Sequence, residues 1–145
     1  MVIFKEVLRP PIWALAFIYF MFLSLVIAIW AALDETATIG AFALATLAMP
    51  LIAKSLTSKI LISESELRID KAHIERKYLG KVTVLDSDAM RLLRTRDANP
   101  AAYLAIKFWA AQGVKIEITD PRDPTPYWLI TSKRGEELAA SLIKS

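Results

Sequence analysis

The chain has 145 residues, of which 55% are hydrophobic and 23% are charged, and its formal net charge is +3. This length fits one ordinary domain, or a small domain with a membrane anchor, and excludes a large multidomain protein. The absence of cysteine excludes disulfides, thiolate metal sites and cysteine nucleophiles, and the single histidine excludes an imidazole-rich metal site. The modest positive charge suits a surface near anionic lipid and does not demand a nucleic-acid partner.

A first uncharged segment covers residues 10–33. As a helix it is long enough to cross the hydrocarbon core of a bilayer, which is about 30 Å thick. Trp13 and Trp30 lie near its two ends, where amphipathic rings favour the membrane interface. Two prolines follow Arg9 and are typical of a helix start, because the first N–H groups of a helix have no partner in any case. We therefore predict a first membrane span at about residues 11–33.

A second uncharged segment covers residues 36–53, after the acidic pair Asp34 and Glu35. It is shorter but still long enough to span. Ala41 and Ala45 have the spacing of small residues that lets another helix approach closely, most simply the first helix. A cleaved signal peptide is the alternative for the first segment, but that segment exceeds the ~7–15 apolar residues of such peptides.

The basic residues near the two segments predict an orientation. Lys5 and Arg9 precede the first segment, Lys54 and Lys59 follow the second, and the connecting loop has none. Because basic residues flank spans on the cytoplasmic side, we predict a multi-pass protein of the cytoplasmic (inner) membrane with both termini cytoplasmic. The predicted membrane-interface anchors are Arg9, Trp13, Trp30 and Lys54.

Residues 1–54 are thus predicted to form a two-helix transmembrane hairpin, and residues 55–145 a cytoplasmic domain. The apolar residues of that domain follow the period-two pattern of strands with one buried face. Asp86 or Ser87 can cap a short helix, and a final helix covers residues 133–144. The seven predicted strands cover residues 59–63, 67–70, 73–78, 81–85, 103–109, 114–119 and 127–131.

The clearest predicted hairpin joins residues 103–109 to residues 114–119 through a turn at Gln112 and Gly113. Seven short strands and a terminal helix predict an α+β fold behind the membrane α-helical hairpin. We expect a small antiparallel, partly closed β-barrel with a C-terminal helix.

Three segments carry a resemblance to a known family: residues 120–130, residues 132–134 and residues 137–139. They are similar to an uncharacterised actinobacterial family of membrane proteins, a domain of unknown function with two N-terminal spans. Residues 9–13 also resemble this family. The strand order and closing helix resemble bacterial pleckstrin-homology-like domains, which implies a binding or scaffolding module. The resemblance implies no known activity.

The loop before the last strand offers the main candidates for chemistry. Asp120 and Asp123 could hold a hard cation, but Asp-Pro steps are ordinary turn builders and such a site usually needs more ligands. Tyr127 and Trp128 are adjacent in a strand and point to opposite faces, and we expect Trp128 to be core. His73 has only nearby turn residues as partners, and the common catalytic motifs are absent. The candidate interaction surface consists of Asp120, Arg122, Asp123 and Tyr127.

Basic side chains around the short helix and first strands are mixed with acidic ones, as on a solvated surface, which argues against nucleic-acid binding. We expect a membrane-anchored interaction or scaffolding module that binds a protein partner or lipid headgroups, and a homo-oligomer is compatible with it. We expect no enzyme, no cofactor and no metal. The alternatives are an accessory subunit of a larger membrane complex that acts through the hairpin, and a metal-dependent enzyme that uses the Asp-Pro loop.

Overall fold

The computed structural model describes residues 1–144, which form two compact units. Residues 9–57 form the helical unit. Residues 1–8 and the chain from Ser58 onward form the β-unit. The helical unit is therefore an insertion that follows the first strand of the β-unit.

The helical unit consists of α1 (Ile12–Ala32) and α2 (Glu35–Leu56), and each is long and apolar enough to cross a membrane. α1 begins after Pro11, whose missing N–H costs nothing at a helix start. α2 begins after Asp34, whose carboxylate accepts a hydrogen bond from the Ala37 N–H at 2.8 Å. Helices at both predicted positions are confirmed, and α2 continues beyond the predicted end.

α1 and α2 share an apolar crevice. Val26 of α1 and Ala41 and Ala45 of α2 are among the residues that line it. The hydroxyl groups of Tyr19 and Thr46 also form a hydrogen bond between the helices at 2.9 Å. The two alanines therefore lie on the side of α2 that faces α1, as their spacing predicted.

The first sheet of the β-unit has four antiparallel strands in the order β1-β2-β3-β4. They are β1 (Val2–Leu8), β2 (Ser58–Ser63), β3 (Glu66–Ile69) and β4 (Ala72–Glu75). β1 and β2 pair across the helical insertion, with Leu8 opposite Ser58. The buried residues of β1 alternate along the strand: Phe4, Glu6 and Leu8.

Strand β1 was not predicted. Residues 1–8 were expected to belong with the helices, whereas the structure pairs them with β2. Every second residue of β1 from Phe4 to Leu8 is buried, as in a strand with one buried face. One of these buried residues, Glu6, is charged, so the sequence lacks the apolar alternation that would have indicated the strand. The partner strand also lies beyond both helices, so no local turn indicated a hairpin.

The second sheet has the order β5-β7-β8-β6 and follows a 3-10 turn at Arg76–Tyr78. Its strands are β5 (Leu79–Leu85), β6 (Tyr103–Ala105), β7 (Gly113–Ile118) and β8 (Tyr127–Thr131). β7 pairs antiparallel with β5 and β8, whereas β6 pairs with β8 in parallel.

The predicted hairpin between residues 103–109 and 114–119 is therefore wrong. β6 ends at Ala105, well before the predicted end at residue 109. Beyond it, the Lys107 N–H donates a hydrogen bond to the side-chain hydroxyl of Thr131 at 3.0 Å. Apolar alternation predicts that a segment is extended but does not determine its partner.

Two short helices complete the β-unit: α3 (Ser87–Arg94) and α4 (Gly135–Ile143). Of the two predicted cap residues of α3, Asp86 is the one that caps it, by accepting a hydrogen bond from the Ala89 N–H at 2.8 Å. The last turn of α4 is bound by Arg76, whose guanidinium donates to the carbonyls of Ser141 and Leu142 at 3.0 and 3.1 Å. A cation is favourable at this negative end of a helix.

The two sheets and α4 share one core. Its buried members are Phe4, Leu8, Ile60, Ile62, Leu67, Ile69, Ile74, Val114, Ile116, Trp128, Ile130, Leu138 and Leu142. A smaller cluster contains Met90 of α3 together with Leu85, Tyr127 and Leu129. The α+β class is confirmed, but within the described residues the sheets remain separate and do not close into one barrel. The 3-10 turn stands between β4 and β5, which do not pair.

Candidate functional site

The loop between β7 and β8 carries three of the predicted surface residues. The carboxylate of Asp120 accepts hydrogen bonds from the Arg122 N–H at 2.9 Å and from its guanidinium at 3.1 and 3.2 Å. The same guanidinium donates to the Tyr78 hydroxyl at 2.9 Å and lies 5.3 Å from the centre of that ring. The loop is thereby bound to the chain just before β5.

The charges of this loop largely satisfy one another. Hydrogen bonds from Arg122 hold the pKa of Asp120 below its usual value, and the same interaction raises the pKa of Arg122. Beside them, the ammonium of Lys77 lies 2.7 Å from a carboxylate oxygen of Glu75 and 4.8 Å from the centre of the Tyr78 ring. The hydrogen bond to Glu75 raises the pKa of Lys77. The loop presents compensated charges to solvent.

Asp123 forms hydrogen bonds within its own turn. Its carboxylate accepts a hydrogen bond from the Thr125 N–H at 2.9 Å, and its N–H donates to the Asp120 carbonyl at 3.1 Å. Both are the bonds of an ordinary aspartate turn. Among residues 1–144, no group of three or more His, Cys, Asp or Glu side chains could hold a metal ion. The geometry adds no further ligand to Asp120 and Asp123.

Tyr127 does not belong to an exposed surface. It is 7% exposed and packs in the smaller cluster below α3, whereas Trp128 is 5% exposed and lies in the main core. The two rings do occupy opposite faces, but the second sheet is covered on both. Tyr127 is therefore not part of an exposed interaction surface, and Trp128 is a core residue, as expected.

A buried polar cluster joins β1 to the start of α4. The sequence did not predict this cluster. The carboxylate of Glu6 accepts a hydrogen bond from the Ser132 hydroxyl at 2.5 Å and another from the Lys133 N–H at 2.9 Å. The Arg134 N–H donates to the same hydroxyl at 3.0 Å. Ser132 is 0% exposed, so substrate has no access to its oxygen. The position of Glu6 between Phe4 and Leu8 was the available signal for burial.

A second missed cluster lies where β2 begins. The carboxylate of Asp70 accepts hydrogen bonds from the Ser58 hydroxyl and the Lys59 N–H, each at 2.8 Å. The Asp70 N–H donates to the Lys59 carbonyl at 3.0 Å. Asp70 has a φ of 54°, a conformation that aspartate tolerates better than most side chains. This turn, which also presents Lys71, is thus bonded to the residues that directly follow the helical unit.

Tyr103 lies near the same turn. Burial raises the pKa of its hydroxyl, and the negative charge of Asp70 raises it further. Its ring lies 4.8 Å from that of Trp128, centre to centre. An aromatic ring with a polar end is therefore positioned close to the Asp70 turn.

The predicted membrane anchors lie at the ends of the helices. Trp13 lies in the first turn of α1 and Trp30 in its last turn, and both rings are exposed. Arg9 immediately precedes the helical pair, and Lys54 lies in the last turn of α2. The aromatic and basic side chains thus occupy the helix ends that the sequence assigned to them.

The comparisons with known proteins find a family and no activity. Residues 3–142 match the model of a family described as "Protein of unknown function (DUF3093)". The match includes both the helical unit and nearly all of the β-unit. No curated protein and no solved structure matches significantly. The chain belongs to this family of unknown function.

Proposed function

We propose that this family member is an integral membrane protein whose helical unit anchors the β-unit at the inner face of the cytoplasmic membrane. There the β-unit acts as an interaction or scaffolding module. One observation carries the proposal: the two helices are inserted between β1 and β2, which pair directly, with Leu8 opposite Ser58. The chain therefore leaves and re-enters the β-unit at neighbouring positions, as an even number of membrane crossings requires.

The outward apolar side chains of both helices support crossing. Those with large exposed fractions are Ile12, Trp13, Phe17, Phe20, Met21, Leu25, Ile27, Trp30, Ile39, Phe42, Leu44, Leu47 and Leu51. Exposed apolar surface in water costs roughly 25 cal/mol per Å², and contiguous patches of this kind mark contact with lipid or protein. A bilayer covers such surface on all sides.

The charge distribution supports the orientation. Arg9 and Lys54 flank the helical pair on the side of the β-unit, and Asp34 and Glu35 stand in the loop between the helices. By the positive-inside bias, the β-unit and both termini are cytoplasmic.

The binding role rests on the architecture of the β-unit. Two packed sheets and a C-terminal helix are compatible with the pleckstrin-homology-like relationship, which we retain as a proposal. A non-enzymatic role is favoured because the candidate groups are occupied: Arg122 holds Asp120, and Glu6 holds the buried Ser132.

Two alternatives have less support. An accessory subunit that acts through the hairpin would use the small residues Ala41 and Ala45 against a partner, but they line the crevice against α1. A metal-dependent enzyme would need more ligands than Asp120 and Asp123. The interaction module therefore remains the first proposal.

Single-cysteine labelling of the full chain tests crossing and orientation together, because the natural sequence has no cysteine. Glu35→Cys places a thiol between the helices, and Arg96→Cys places one on the exposed surface of the β-unit. With a membrane-impermeant maleimide on intact cells, we expect labelling of Glu35→Cys only, and labelling of Arg96→Cys after lysis. The reverse pattern would overturn the orientation, and equal labelling of both would overturn the crossing.

A further inference from the structure

The two ends of the first sheet differ in whether their basic side chains form ion pairs. We call the end at which β1 stops and β2 starts the proximal end, and the end near the β2–β3 turn the distal end. The proximal end contains Leu8, Ser58, Lys59 and the turn at Asp70 and Lys71. The distal end contains the acidic residues Glu64, Glu66 and Glu75.

The basic side chains near the distal end form ion pairs, whereas within the described residues those at the proximal end do not. Two distal glutamates are paired: Glu66 with Arg68 of β3 at 3.0 Å, and Glu75 with Lys77 at 2.7 Å. At the proximal end Lys59 and Lys71 are exposed, and residues 1–144 provide neither with an ion pair.

The carboxylate of Asp70 also lies at the proximal end, where its negative charge offsets part of the charge of the two lysines. Asp70 accepts hydrogen bonds from the Ser58 hydroxyl and the Lys59 N–H, which fix its carboxylate against the backbone. The same bonds hold the turn that carries Lys71 against the start of β2, although twelve positions separate Lys71 from Lys59 along the chain. The folded turn therefore adds a cation that the sequence places far from the helices.

Chain connectivity sets the distance from this end to the helical unit. α2 ends at Leu56 and β2 starts at Ser58, so their Cα atoms are separated by at most about 7 Å. α1 starts at Ile12, a short distance after Leu8. Under the proposed function, the first residues of β2 therefore follow directly after the end of a membrane-crossing helix.

We propose that the proximal end, through Lys59 and Lys71, binds the anionic headgroups of the bilayer in which the helical unit is anchored. This inference rests on the proposed function and names its lipid partner. Positive side chains near a negatively charged leaflet gain about 1 kcal/mol each, which is about fivefold in an equilibrium constant. Because the anchor keeps headgroups at high effective concentration, two lysines suffice to favour the contact. Tyr103 adds a ring suited to the interface.

The test uses the full chain in lipid nanodiscs of neutral phosphatidylcholine or of phosphatidylcholine with phosphatidylglycerol. His73→Cys carries a fluorophore near the proximal turn, and Ser65→Cys carries it at the distal end. Headgroup-labelled quencher lipids report contact. We expect stronger quenching at position 73 in the anionic discs, little at position 65, and loss of the difference at about 1 M salt, where screening acts within about 3 Å.

Lys59→Gln combined with Lys71→Gln should lower the equilibrium constant for contact between the proximal end and the anionic headgroups about 25-fold, as the product of two fivefold effects. The matched control, Lys81→Gln with Arg91→Gln, removes two exposed cations elsewhere on the β-unit and should leave quenching unchanged. Equal quenching in both kinds of disc, or no response to the lysine substitutions, would overturn the inference. The maleimide assay separates the two failures, since a correct topology without charge-dependent docking removes this inference alone.

Discussion

The helical unit and the β-unit place their apolar side chains in opposite directions. Within the described chain, α1 buries only Ala14 and Val26, and α2 buries no residue. The β-unit directs its large aliphatic residues inward and bonds its buried polar groups, as Glu6 and Ser132 show. Composition and direction therefore both distinguish the two units: the helices have uncharged segments with outward apolar side chains, whereas the β-unit carries most of the charges and turns its apolar side chains inward.

The largest expected contrast comes from glycine substitutions. In Gly113→Ala the new Cβ would overlap the carbonyl oxygen of Ile130 and crowd Met90, so we expect a loss of about 4 kcal/mol or more in unfolding free energy. Gly40→Ala is the control: apart from its chain neighbours and the backbone of its own helix, no atom lies within 4 Å of the added Cβ, and alanine should stabilise the helix by about 1 kcal/mol. Denaturant unfolding in micelles measures both. Similar effects would contradict the difference in packing.

Arginine substitutions should separate the two exposed apolar surfaces. Phe20 and Ile143 are 66% and 68% exposed, in α1 and α4 respectively. If α1 faces lipid, Phe20→Arg should cost about 3 kcal/mol in membrane insertion, whereas Ile143→Arg should change stability by less than about 0.5 kcal/mol. Carbonate extraction and unfolding measure the two quantities. An inserted and fully stable Phe20→Arg protein would count against the lipid-facing surface.

The buried cluster that joins β1 to α4 gives a smaller effect. Glu6→Ala leaves the Ser132 hydroxyl and the Lys133 N–H without their acceptor, and we expect a loss of about 1–3 kcal/mol. Lys5→Ala, at the neighbouring exposed position, should change unfolding free energy by less than about 0.5 kcal/mol. Equal unfolding midpoints for the two variants would show that the cluster does not stabilise the β-unit.

The smallest effect concerns pH. The folded pKa of Asp120 lies below its ordinary value of 3.8 because Arg122 donates to it, so the pairing stabilises the fold above that value. The contribution disappears as pH falls through the folded pKa. Arg122→Gln should move the Asp120 titration upward in an NMR pH series, whereas Arg96→Gln, at a separate exposed ion pair, should leave it in place. An unchanged titration in Arg122→Gln would contradict the assignment.

Local signals predicted the elements whose determinants are close in sequence. Asp86 caps α3 because its acceptor and the Ala89 N–H lie three residues apart, and α1 and α2 follow from uninterrupted apolar segments. The pairing of β6 was mispredicted, because its partner is β8 and not its neighbour β7. The exposure of Tyr127 was mispredicted because α3 covers the second face of its sheet.

The sequence by itself determined the two apolar helices, the α+β character and the charges near the helix ends, since composition and short-range periodicity carry that information. Only the tertiary structure decided that β1 pairs with β2, that Glu6 is buried, and that the turn carrying Lys71 is bonded to Lys59 through Asp70. These features depend on contacts between segments distant in sequence, and period-two alternation leaves the choice of partner open. The fold thus brings together, at one end of a sheet, cations that the chain separates.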